Sequence, residues 1–447
     1  MTILFIFRRD LRTYDNTALN HAIQTKEDVL PIFIFTPEQV QENDYKSDNS
    51  VKFMINSLKS IHNLQCFYGT NIDVIVSLTK KLNITHIFFN TDTTHYAIKR
   101  DKQIEGFCNN SNIICKTYSD YNLVDILFDV KTGSDTYYSV FTPFLTKSKQ
   151  LEVRLPESSS KPIWYDKHIK TKYQITLEEA ERKFTKNASS NVLVHGGRNE
   201  AMKLLKQSLA TQKKYKITRN QAYTRTTLLS AHIKFGTISI REAYYHFKKN
   251  NMIAIIDQLY WNEFYDYLMV TLPKKKTIGG SNFKGKSIQW DNDKENFDKW
   301  KAGQTGFPFI DAGMRQLNRE GYMHGRARMA VANFLSMILL IDWRKGEKYF
   351  ATKLIDYDIA QNNGNWQWSV GLGVDKTGYL RIFNPYTQSK RHDPDCLYIK
   401  KYVPELSDVP NEDIHKWEVK HKMHETYITP IVDYPERRKV ALHRYKQ

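Results

Sequence analysis

The alternation of short apolar runs with helical-period segments in the first 120 residues constrains the fold of this chain most. Runs rich in β-branched or aromatic residues occupy Ile3–Phe7, Val29–Phe35, His86–Asn90 and Asn112–Lys116. Segments with apolar residues at helical spacing lie near 16–26, 50–60, 71–82 and 95–108. This alternation predicts a parallel sheet covered by helices, an open α/β domain over residues 1–127. The domain has no GxGxxG and no Walker lysine loop, and so gives no dinucleotide or nucleoside triphosphate signal.

The pattern changes twice along the rest of the chain. Residues 128–190 have weak periodicity and contain Gly133, Pro143, Pro156 and Pro162, which predicts an interdomain connection. From residue 191 to 447 the pattern is helical almost throughout, and a second, all-helical domain is expected there. The segments with helical periodicity are Asn199–Gln212, Ile240–Asn250, Met252–Val270, Pro308–Arg319, Arg326–Ile341, Lys345–Ile355 and Tyr434–Gln447.

Composition excludes several protein classes. A chain of 447 residues with 41% hydrophobic residues can bury a sizeable core, which excludes a disordered or collagen-like protein. The four cysteines are scattered without CxxC spacing, so neither a disulfide framework nor a metal site is expected. No apolar stretch approaches the roughly 18 residues of a membrane span. We therefore expect a soluble, intracellular protein without a membrane partner, and its compartment stays open.

The positive charge is concentrated in the second part of the chain. Of the formal charge of +18, residues 1–130 contribute −2, from 13 basic and 15 acidic residues, so the remainder carries +20. All eight tryptophans, from Trp164 to Trp417, also lie in that remainder. A basic, tryptophan-rich domain fits a polyanion whose bases can stack on aromatic faces. Solvated lysines in a lysine-rich protein would give the same composition, and composition alone does not decide between the two.

Three segments of the helical part are unusually polar. Hydroxyl side chains in Thr226–Ser230 precede a helical run, where they could satisfy free N–H groups and help to hold a phosphate. Arg326 and Arg328 follow His324 at the start of an apolar helix, where burial would be costly without an anionic partner. Asp356 and Asp358 could be such partners for Arg328. A structural ion-pair network would explain the same residues.

Several long motifs occur in one order along the chain. The first part carries Phe7-Arg8-Arg9-Asp10-Leu11-Arg12 and Tyr138-Ser139-Val140-Phe141-Thr142-Pro143-Phe144. The helical part carries Thr305-Gly306-Phe307-Pro308-Phe309-Ile310-Asp311-Ala312, Gly321-Tyr322-Met323-His324 and Arg381-Ile382-Phe383-Asn384-Pro385. Together these motifs resemble the photolyase/cryptochrome family over nearly the whole chain. The resemblance is closest to the class I cyclobutane pyrimidine dimer photolyases.

The resemblance implies a flavin adenine dinucleotide (FAD) held in a U shape inside the helical domain. The residues at matching cofactor positions are Tyr215, Thr226, Thr227, Leu228, Leu229, Ser230, Arg328, Asp356, Tyr357, Asp358 and Asn362. Asn362 matches the position that faces the flavin N5, where an asparagine resembles the photolyases. The resemblance therefore favours an enzyme that works from fully reduced FAD.

The resemblance also assigns electron-transfer and DNA-binding roles. Trp366, Trp343 and Trp290 match the family's electron-transfer chain from the flavin to the surface. Trp261 and Trp368 match the two indoles that wall the lesion pocket, into which the damaged bases are flipped. The residues at positions matching DNA or lesion contacts are Arg219, Gln258, Trp261, Asn262, Tyr265, Gly325, Arg326, Ala327, Met329, Trp368 and Gln388.

The lesion pocket resembles that of dimer-repairing enzymes, with three departures. Gly325 and Met329 stand where (6-4) photoproduct enzymes carry histidines, which favours cyclobutane dimers. Gln258, however, replaces a glutamate that in the dimer enzymes forms a hydrogen bond with the thymine carbonyl. Asn262 replaces an arginine, and Gly325 replaces an asparagine. Gln258 can still donate a hydrogen bond but cannot transfer a proton. Either neighbours compensate for these changes, or lesion preference or repair efficiency is altered.

The resemblance therefore predicts light-driven repair of cyclobutane pyrimidine dimers in ultraviolet-damaged DNA, by electron transfer from excited reduced FAD. A monomer without an obligate protein partner is expected. A second, antenna chromophore is left open among a deazaflavin, a flavin mononucleotide and none, and Tyr96-Ala97 disfavours folate. The alternatives are a cryptochrome-like photoreceptor, a photolyase for another lesion such as the (6-4) photoproduct, and a DNA-binding protein that has lost catalysis.

Overall fold

The apolar runs at the N-terminus pair into one parallel sheet in the computed structural model, which describes residues 1–41, 43–126, 128–157, 161–272, 287–374 and 381–446. The sheet has five strands in the order β3-β2-β1-β4-β5. The strands are β1 Thr2–Phe7, β2 Asp28–Phe35, β3 Gln65–Tyr68, β4 Ile84–Asn90 and β5 Ile114–Tyr118. The predicted open α/β fold is confirmed.

The described residues form two compact units. Unit 1 comprises Met1–Ala188, Val194–Ala210 and Thr227–Thr271, and unit 2 comprises Ser189–Leu193, Thr211–Thr226 and Leu272–Gln447. Residues 158–160 of the predicted connection and residue 447 of the last predicted helix lie outside the described residues. The domain boundaries at 127 and 190 stay a prediction.

Unit 1 covers its sheet with helices because its apolar side chains recur at helical spacing between strands. Leu4, Ile6, Leu30 and Ile32 of the two central strands are buried in a core shared with helical residues such as Val74. Its helices are α1 Thr17–Gln24, α2 Pro37–Val40, α3 Asp48–Leu58, α4 Asn71–Thr79, α5 His95–Asn110, α6 Phe141–Ser148, α7 Leu177–Phe184, α8 Arg198–Thr211 (of which Thr211 falls in unit 2), α10 Ser230–Lys234, α11 Ile240–Lys249 and α12 Ile253–Thr271.

A buried ion network fastens α11 to the loops that leave β1 and β5. Arg241 contacts Asp15 at 2.9 Å and Asp120 at 2.8 Å, and Arg12 contacts Asp120 at 2.5 Å. The side chains of all four residues are at most 4% exposed. Because two carboxylates balance two guanidinium groups and each is hydrogen-bonded, the burial of these charges is compensated.

Unit 2 is helical in the residues that the structure describes. Its helices are α9 Tyr215–Thr218, α13 Lys294–Ala302, α14 Pro308–Glu320, α15 Gly325–Asn333, α16 Trp343–Lys353, α17 Ile359–Ser369, α18 Pro385–His392, α19 Leu397–Tyr402, α20 Asn411–Ile414, α21 Trp417–Lys420 and α22 Tyr434–Lys446. Short 3-10 turns lie at Pro404–Leu406 and His421–Met423. The all-helical C-terminal part is as predicted from residue spacing.

The segment predicted as one helix over Arg326–Ile341 changes from an α-helix to a π-helix inside the core. α15 ends at Asn333, and a buried π-helical turn follows over Phe334–Ile338. Asn333 lies at this junction and donates to the carbonyl groups of Ser369, at 2.7 Å, and Arg381, at 3.0 Å. Its side-chain oxygen accepts from the N–H of Phe383 at 2.9 Å. This fully hydrogen-bonded amide joins the end of α17 to the segment before α18.

The Thr305–Ala312 motif forms the start of α14. Asp311 accepts hydrogen bonds from the N–H and hydroxyl of Thr305, from the N–H of Gly306 at 3.0 Å, and from the hydroxyl of Tyr427. Burial raises the pKa of Asp311, and these donors act in the opposite direction. The motif therefore serves the fold of unit 2.

Candidate functional site

The centre of the candidate site in unit 2 is an ion pair between α15 and the segment before α17. Nη2 of Arg328 lies 2.9 Å from Oδ2 and 3.1 Å from Oδ1 of Asp356, and its Nε donates to the carbonyl of Met323 at 2.8 Å. Burial disfavours the cation, yet the Asp356 carboxylate raises the pKa of Arg328. The predicted pairing of Arg328 with Asp356 is confirmed.

Asp358, the other residue predicted as a possible partner of Arg328, acts as a helix cap. It is the N-cap of α17 and accepts from the N–H groups of Ala360, at 3.0 Å, and Gln361, at 3.2 Å. Its backbone carbonyl accepts from Nδ2 of Asn362 at 3.1 Å. Asp358 therefore places the buried Asn362 amide on the first turn of α17. Sequence spacing alone did not distinguish a cap from an ion pair.

The start of α15 concentrates positive charge where the helix dipole disfavours it. Nδ1 of His324 caps the helix by accepting from the N–H of Arg326 at 3.2 Å. The guanidinium of Arg326 donates from Nε to Oδ1 of Asn220 at 3.0 Å, a neutral partner, so its charge is not neutralised. Sequence reasoning missed Asn220, since no motif links residues about a hundred positions apart.

The ring of His324 is held neutral. Burial lowers its pKa to about 4, and Arg326 and His392 act in the same direction. Because Nδ1 accepts the capping hydrogen bond, the ring proton lies on Nε2, which is buried without a partner among the described residues. His324 thus presents a donor next to both arginines.

The predicted diphosphate contacts are divided between the units. Tyr215, on α9, and Thr226 lie in unit 2, where Oγ1 of Thr226 lies 3.3 Å from the hydroxyl of Tyr322. Thr227, Leu228, Leu229 and Ser230 lie in unit 1.

The expectation that the Thr226–Ser230 hydroxyls satisfy free N–H groups before a helix is met at Thr227, whose Oγ1 accepts from the N–H of Leu229 at 3.5 Å, but not in the form of a helix cap. Leu229 is the N-cap of α10, and no side chain caps this five-residue helix. The reason lies in the backbone. Leu228 has a φ of 56°, so the chain turns at Leu228 rather than extending into the helix. The phosphate contact itself stays a prediction.

The predicted lesion-binding residues of unit 1 share one helix. Gln258, Trp261, Asn262 and Tyr265 all lie on α12, and all except Tyr265 are partly exposed. The indole of Trp261 stacks on the ring of Phe141 with centroids 3.6 Å apart and planes at 13°.

The predicted lesion-binding and DNA-binding residues of unit 2 lie on three helices and beside a fourth. Gly325, Arg326, Ala327 and Met329 are on α15, Trp368 is on α17, Gln388 is on α18, and Arg219 follows α9. The guanidinium of Arg381 lies 5.7 Å from a ring centroid of Trp368, in cation–π range. Gly325 is exposed, and a Cβ there would meet nothing within 4 Å.

The three tryptophans of the predicted electron-transfer chain differ in burial. Trp366 and Trp343 are buried in the core of unit 2, whereas Trp290 is partly exposed at its edge. A Cβ at Gly346 on α16 would overlap the indole of Trp366, so this glycine lets the ring rest on the helix that carries Trp343. Sequence reasoning missed Gly346.

Tyr357 lies between the ion pair and α16. Its hydroxyl donates to Oε1 of Glu347 at 2.6 Å. Burial raises the pKa of Glu347 to about 7, against this hydrogen bond. The Glu347 carboxyl group therefore titrates near neutral pH, next to Tyr357, one of the predicted cofactor residues.

The donor set of unit 2 fits a flavin nucleotide. Nη1 of Arg328 and Oδ1 of Asn362 have no hydrogen-bond partner among the described residues, and both groups stand on elements joined by the Arg328–Asp356 pair. A guanidinium and an amide suit the carbonyl and ring nitrogen atoms of an isoalloxazine. The described residues contain no cluster of three metal-ligating side chains.

Comparison with known proteins assigns the family. Residues 3–161 match the family described as DNA photolyase, and residues 255–447 match the FAD binding domain of DNA photolyase. The deoxyribodipyrimidine photo-lyase of Buchnera aphidicola subsp. Acyrthosiphon pisum (strain APS) is 35% identical, and the alignment covers 99% of this chain and 96% of that protein. The chain therefore belongs to the DNA photolyase family and carries the family's FAD-binding domain.

Solved structures agree with this assignment. The archaeal photolyase from Sulfolobus tokodaii, described with two FAD molecules, has a TM-score of 0.87 and 38% identity, with full coverage of both chains. The cryptochrome of Synechocystis sp. PCC6803 has a TM-score of 0.90 at 24% identity, covering 99% of each chain, and shares the fold. Among the described residues, no helix is long and apolar enough to cross a membrane.

Proposed function

We propose that this protein repairs cyclobutane pyrimidine dimers in DNA in a light-dependent reaction. The observation that carries the proposal is the partly buried Arg328–Asp356 pair together with the Asn362 amide on the following helix, whose free polar atoms suit a flavin ring. Curated relatives that align with this chain over nearly their full length are named deoxyribodipyrimidine photo-lyase, and they support the same reaction.

The chain's residues bind and orient the reactants. FAD held here in its fully reduced form would supply, on absorbing light, the electron needed to split the cyclobutane ring. Arg328 and Asn362 orient the ring system, and Asp356 keeps the guanidinium in place. Trp261 offers an aromatic face on which a flipped base can stack, and so does Trp368, while Arg219, Arg326 and Gln388 contact the DNA.

Trp366, Trp343 and Trp290 conduct electrons from the surface toward the cofactor site when the cofactor has been oxidised. Burial supports Trp290 as the surface end of the path, since it is partly exposed whereas Trp366 and Trp343 are buried. This path prepares the working cofactor and is separate from repair itself.

The three departures in the lesion pocket are tolerated variations in this proposal. Gln258 and Asn262 remain on the accessible side of α12 and can still form hydrogen bonds with the lesion. Gly325 leaves open space where the family has an asparagine side chain. The protein repairs as a monomer.

We also propose a second flavin dinucleotide in unit 1, as described for the Sulfolobus tokodaii relative. At the carboxyl edge of the sheet, Asp101 accepts from both Arg8, at 2.6 Å, and Arg100, at 2.9 Å. Among the described residues Nη2 of each arginine is buried without a partner, and burial together with Arg100 lowers the pKa of Arg8 to about 10. These free N–H donors favour an anionic group such as a nucleotide phosphate. Two flavins per purified chain are expected, and one flavin would contradict this part.

Light-dependent turnover tests the main proposal. The reduced protein should restore an oligonucleotide that carries a cyclobutane thymine dimer, and should do so only under illumination. Intact flavin photoreduction without any restoration would contradict the enzyme and favour a photoreceptor.

A further inference from the structure

Trp261, the proposed lesion-stacking residue of α12, itself stacks on Phe141 at the start of α6. This pair has the shortest distance between ring centroids among the described aromatic pairs, 3.6 Å, with the planes only 13° apart. Both side chains are partly exposed, although the two residues are 120 positions apart in sequence. An exposed stack of this kind fixes the orientation of both rings.

Phe141 is anchored firmly by its own helix. One turn further along α6, the buried Phe144 packs on Phe264 at 5.2 Å and on Tyr267 at 5.0 Å, both on α12. The hydroxyl of Tyr267 accepts from the N–H of Tyr138 at 2.8 Å and donates to the carbonyl of Val130 at 3.1 Å. The chain that leads into α6 is thus tied to α12, which holds the backbone of Phe141 close to the indole.

The neighbours of Trp261 leave it little freedom. Phe264 meets the indole edge-on at 5.8 Å and also meets Phe141 edge-on at 5.6 Å. Tyr265 lies 5.8 Å from the indole at 30°. Phe141 therefore covers one face of the indole, and a base would stack on the part of the ring that stays exposed.

We propose that Phe141 is a positioning residue for lesion recognition, because it holds the Trp261 indole in the plane on which the flipped dimer stacks. This inference rests on the proposed function, in which Trp261 touches the lesion. A stacking surface that is already oriented binds more tightly, because less rotamer entropy is lost on binding. Phe141 therefore contributes to affinity for damaged DNA and not to the electron-transfer step.

The test compares variants of the full-length, flavin-loaded protein. Phe141→Ala should weaken binding of an oligonucleotide with one thymine dimer by about three- to tenfold, the range of an aromatic pair. Affinity for undamaged DNA and the repair rate of the bound lesion should not change. Phe141→Tyr should restore affinity, whereas Phe141→Leu, which keeps apolar bulk but has no ring, should resemble the alanine variant. The neighbouring, exposed Thr142→Ala is the matched control.

A Trp261→Ala arm separates the two hypotheses. If Trp261→Ala abolishes discrimination of damaged from undamaged DNA while Phe141→Ala binds normally, the inference fails and the proposed function stands. If Trp261→Ala still discriminates, the placement of the lesion at this indole is wrong, and the inference falls with it. Equal losses for damaged and undamaged DNA in Phe141→Ala would indicate a general structural effect and would also overturn the inference. If Phe141→Ala does not fold, Phe141→Leu decides.

Discussion

The partly buried charges of the Arg328–Asp356 pair are the most sensitive points of the proposed cofactor site. The side chain of Asp356 is 6% exposed and neutralises Arg328, which is 24% exposed. Asp356→Asn removes the negative charge and leaves the guanidinium without its counter-ion, a loss that is strongly destabilising for buried pairs. We expect flavin affinity to fall at least tenfold, as measured by flavin retention during dilution. Asp408→Asn, an exposed acid in the same unit, should retain flavin normally. Full retention in Asp356→Asn would contradict the assignment.

Glu263 makes unit 1 sensitive to pH. Burial raises its pKa to about 8, while Oε1 accepts from the N–H groups of Leu123 and of Val124. Because the folded-state pKa lies above the unfolded value, this contribution to stability is complete at low pH and is lost as the pH rises through about 8. A loss on the order of 4 kcal/mol is expected by pH 9 or so.

Glu263→Gln isolates this effect. The amide keeps the accepting oxygen and cannot ionise, so the decline in the free energy of unfolding between about pH 5 and 9 should shrink. Denaturant titrations at several pH values measure this, with the exposed Glu178→Gln as control. An unchanged pH profile in Glu263→Gln would mean that the carboxyl group is not the source.

Trp366 can be tested separately from repair. Trp366→Phe keeps an apolar ring in the core but removes the indole, which is the more easily oxidised group. Photoreduction of oxidised flavin should be blocked, whereas repair by chemically reduced protein should continue. Trp164→Phe in unit 1 is the control. Normal photoreduction in Trp366→Phe would remove this residue from the proposed path.

The sequence predicted individual residues only where charge required a partner. Arg328 needed a carboxylate, and Asp356 provides it. The capping role of Asp358 and the stack of Phe141 on Trp261 depend on which backbone segments meet in the fold. The spacing of residues in the sequence does not show which segments come into contact, although Phe141 lies within one of the family motifs.

At the scale of elements, the contact between α16 and α17 depends on the absence of a side chain at Gly346. A Cβ there would overlap both Leu335 and the Trp366 ring. Gly346→Ala should therefore lower the free energy of unfolding by about 1–3 kcal/mol, as overpacking does. It should also change the absorption spectrum of bound flavin.

Gly106→Ala is the matched control for that substitution. Gly106 lies inside α5 with nothing within 4 Å of a Cβ, so alanine should be neutral or stabilising by about 0.5–1 kcal/mol. Thermal unfolding of both variants measures the difference. Equal stability of the two variants would show that the α16–α17 contact relaxes freely.

Elements with strong periodicity were predicted well, and short ones were missed. β1, β2, β4, β5 and the long helices lie within a few residues of their predicted bounds. β3 has only four residues and begins with Gln65, so it lacks an apolar run. α6 and α7 were hidden in the predicted connection. Pro143 made α6 look like a turn, but in the first turn of a helix its missing N–H is not needed.

At the scale of the whole molecule, charge is expected to govern DNA binding. Residues 1–130 carry −2 and the remainder carries +20. Binding to damaged and undamaged DNA should weaken more than tenfold between about 50 and 200 mM salt, through counterion release. Arg219→Gln should reduce the salt slope by about 1, and Lys206→Gln, an equal charge change in unit 1, should not. A flat salt response would mean that the basic surface does not bind DNA.

The decisive experiment is light-dependent repair on two substrates. Reduced protein is illuminated with an oligonucleotide that carries a cyclobutane thymine dimer or a (6-4) photoproduct, and each reaction has a dark control. We expect the oligonucleotide with the cyclobutane thymine dimer alone to be restored, and only in light. Repair of the (6-4) photoproduct, or repair of neither substrate with flavin photoreduction intact, would contradict this expectation.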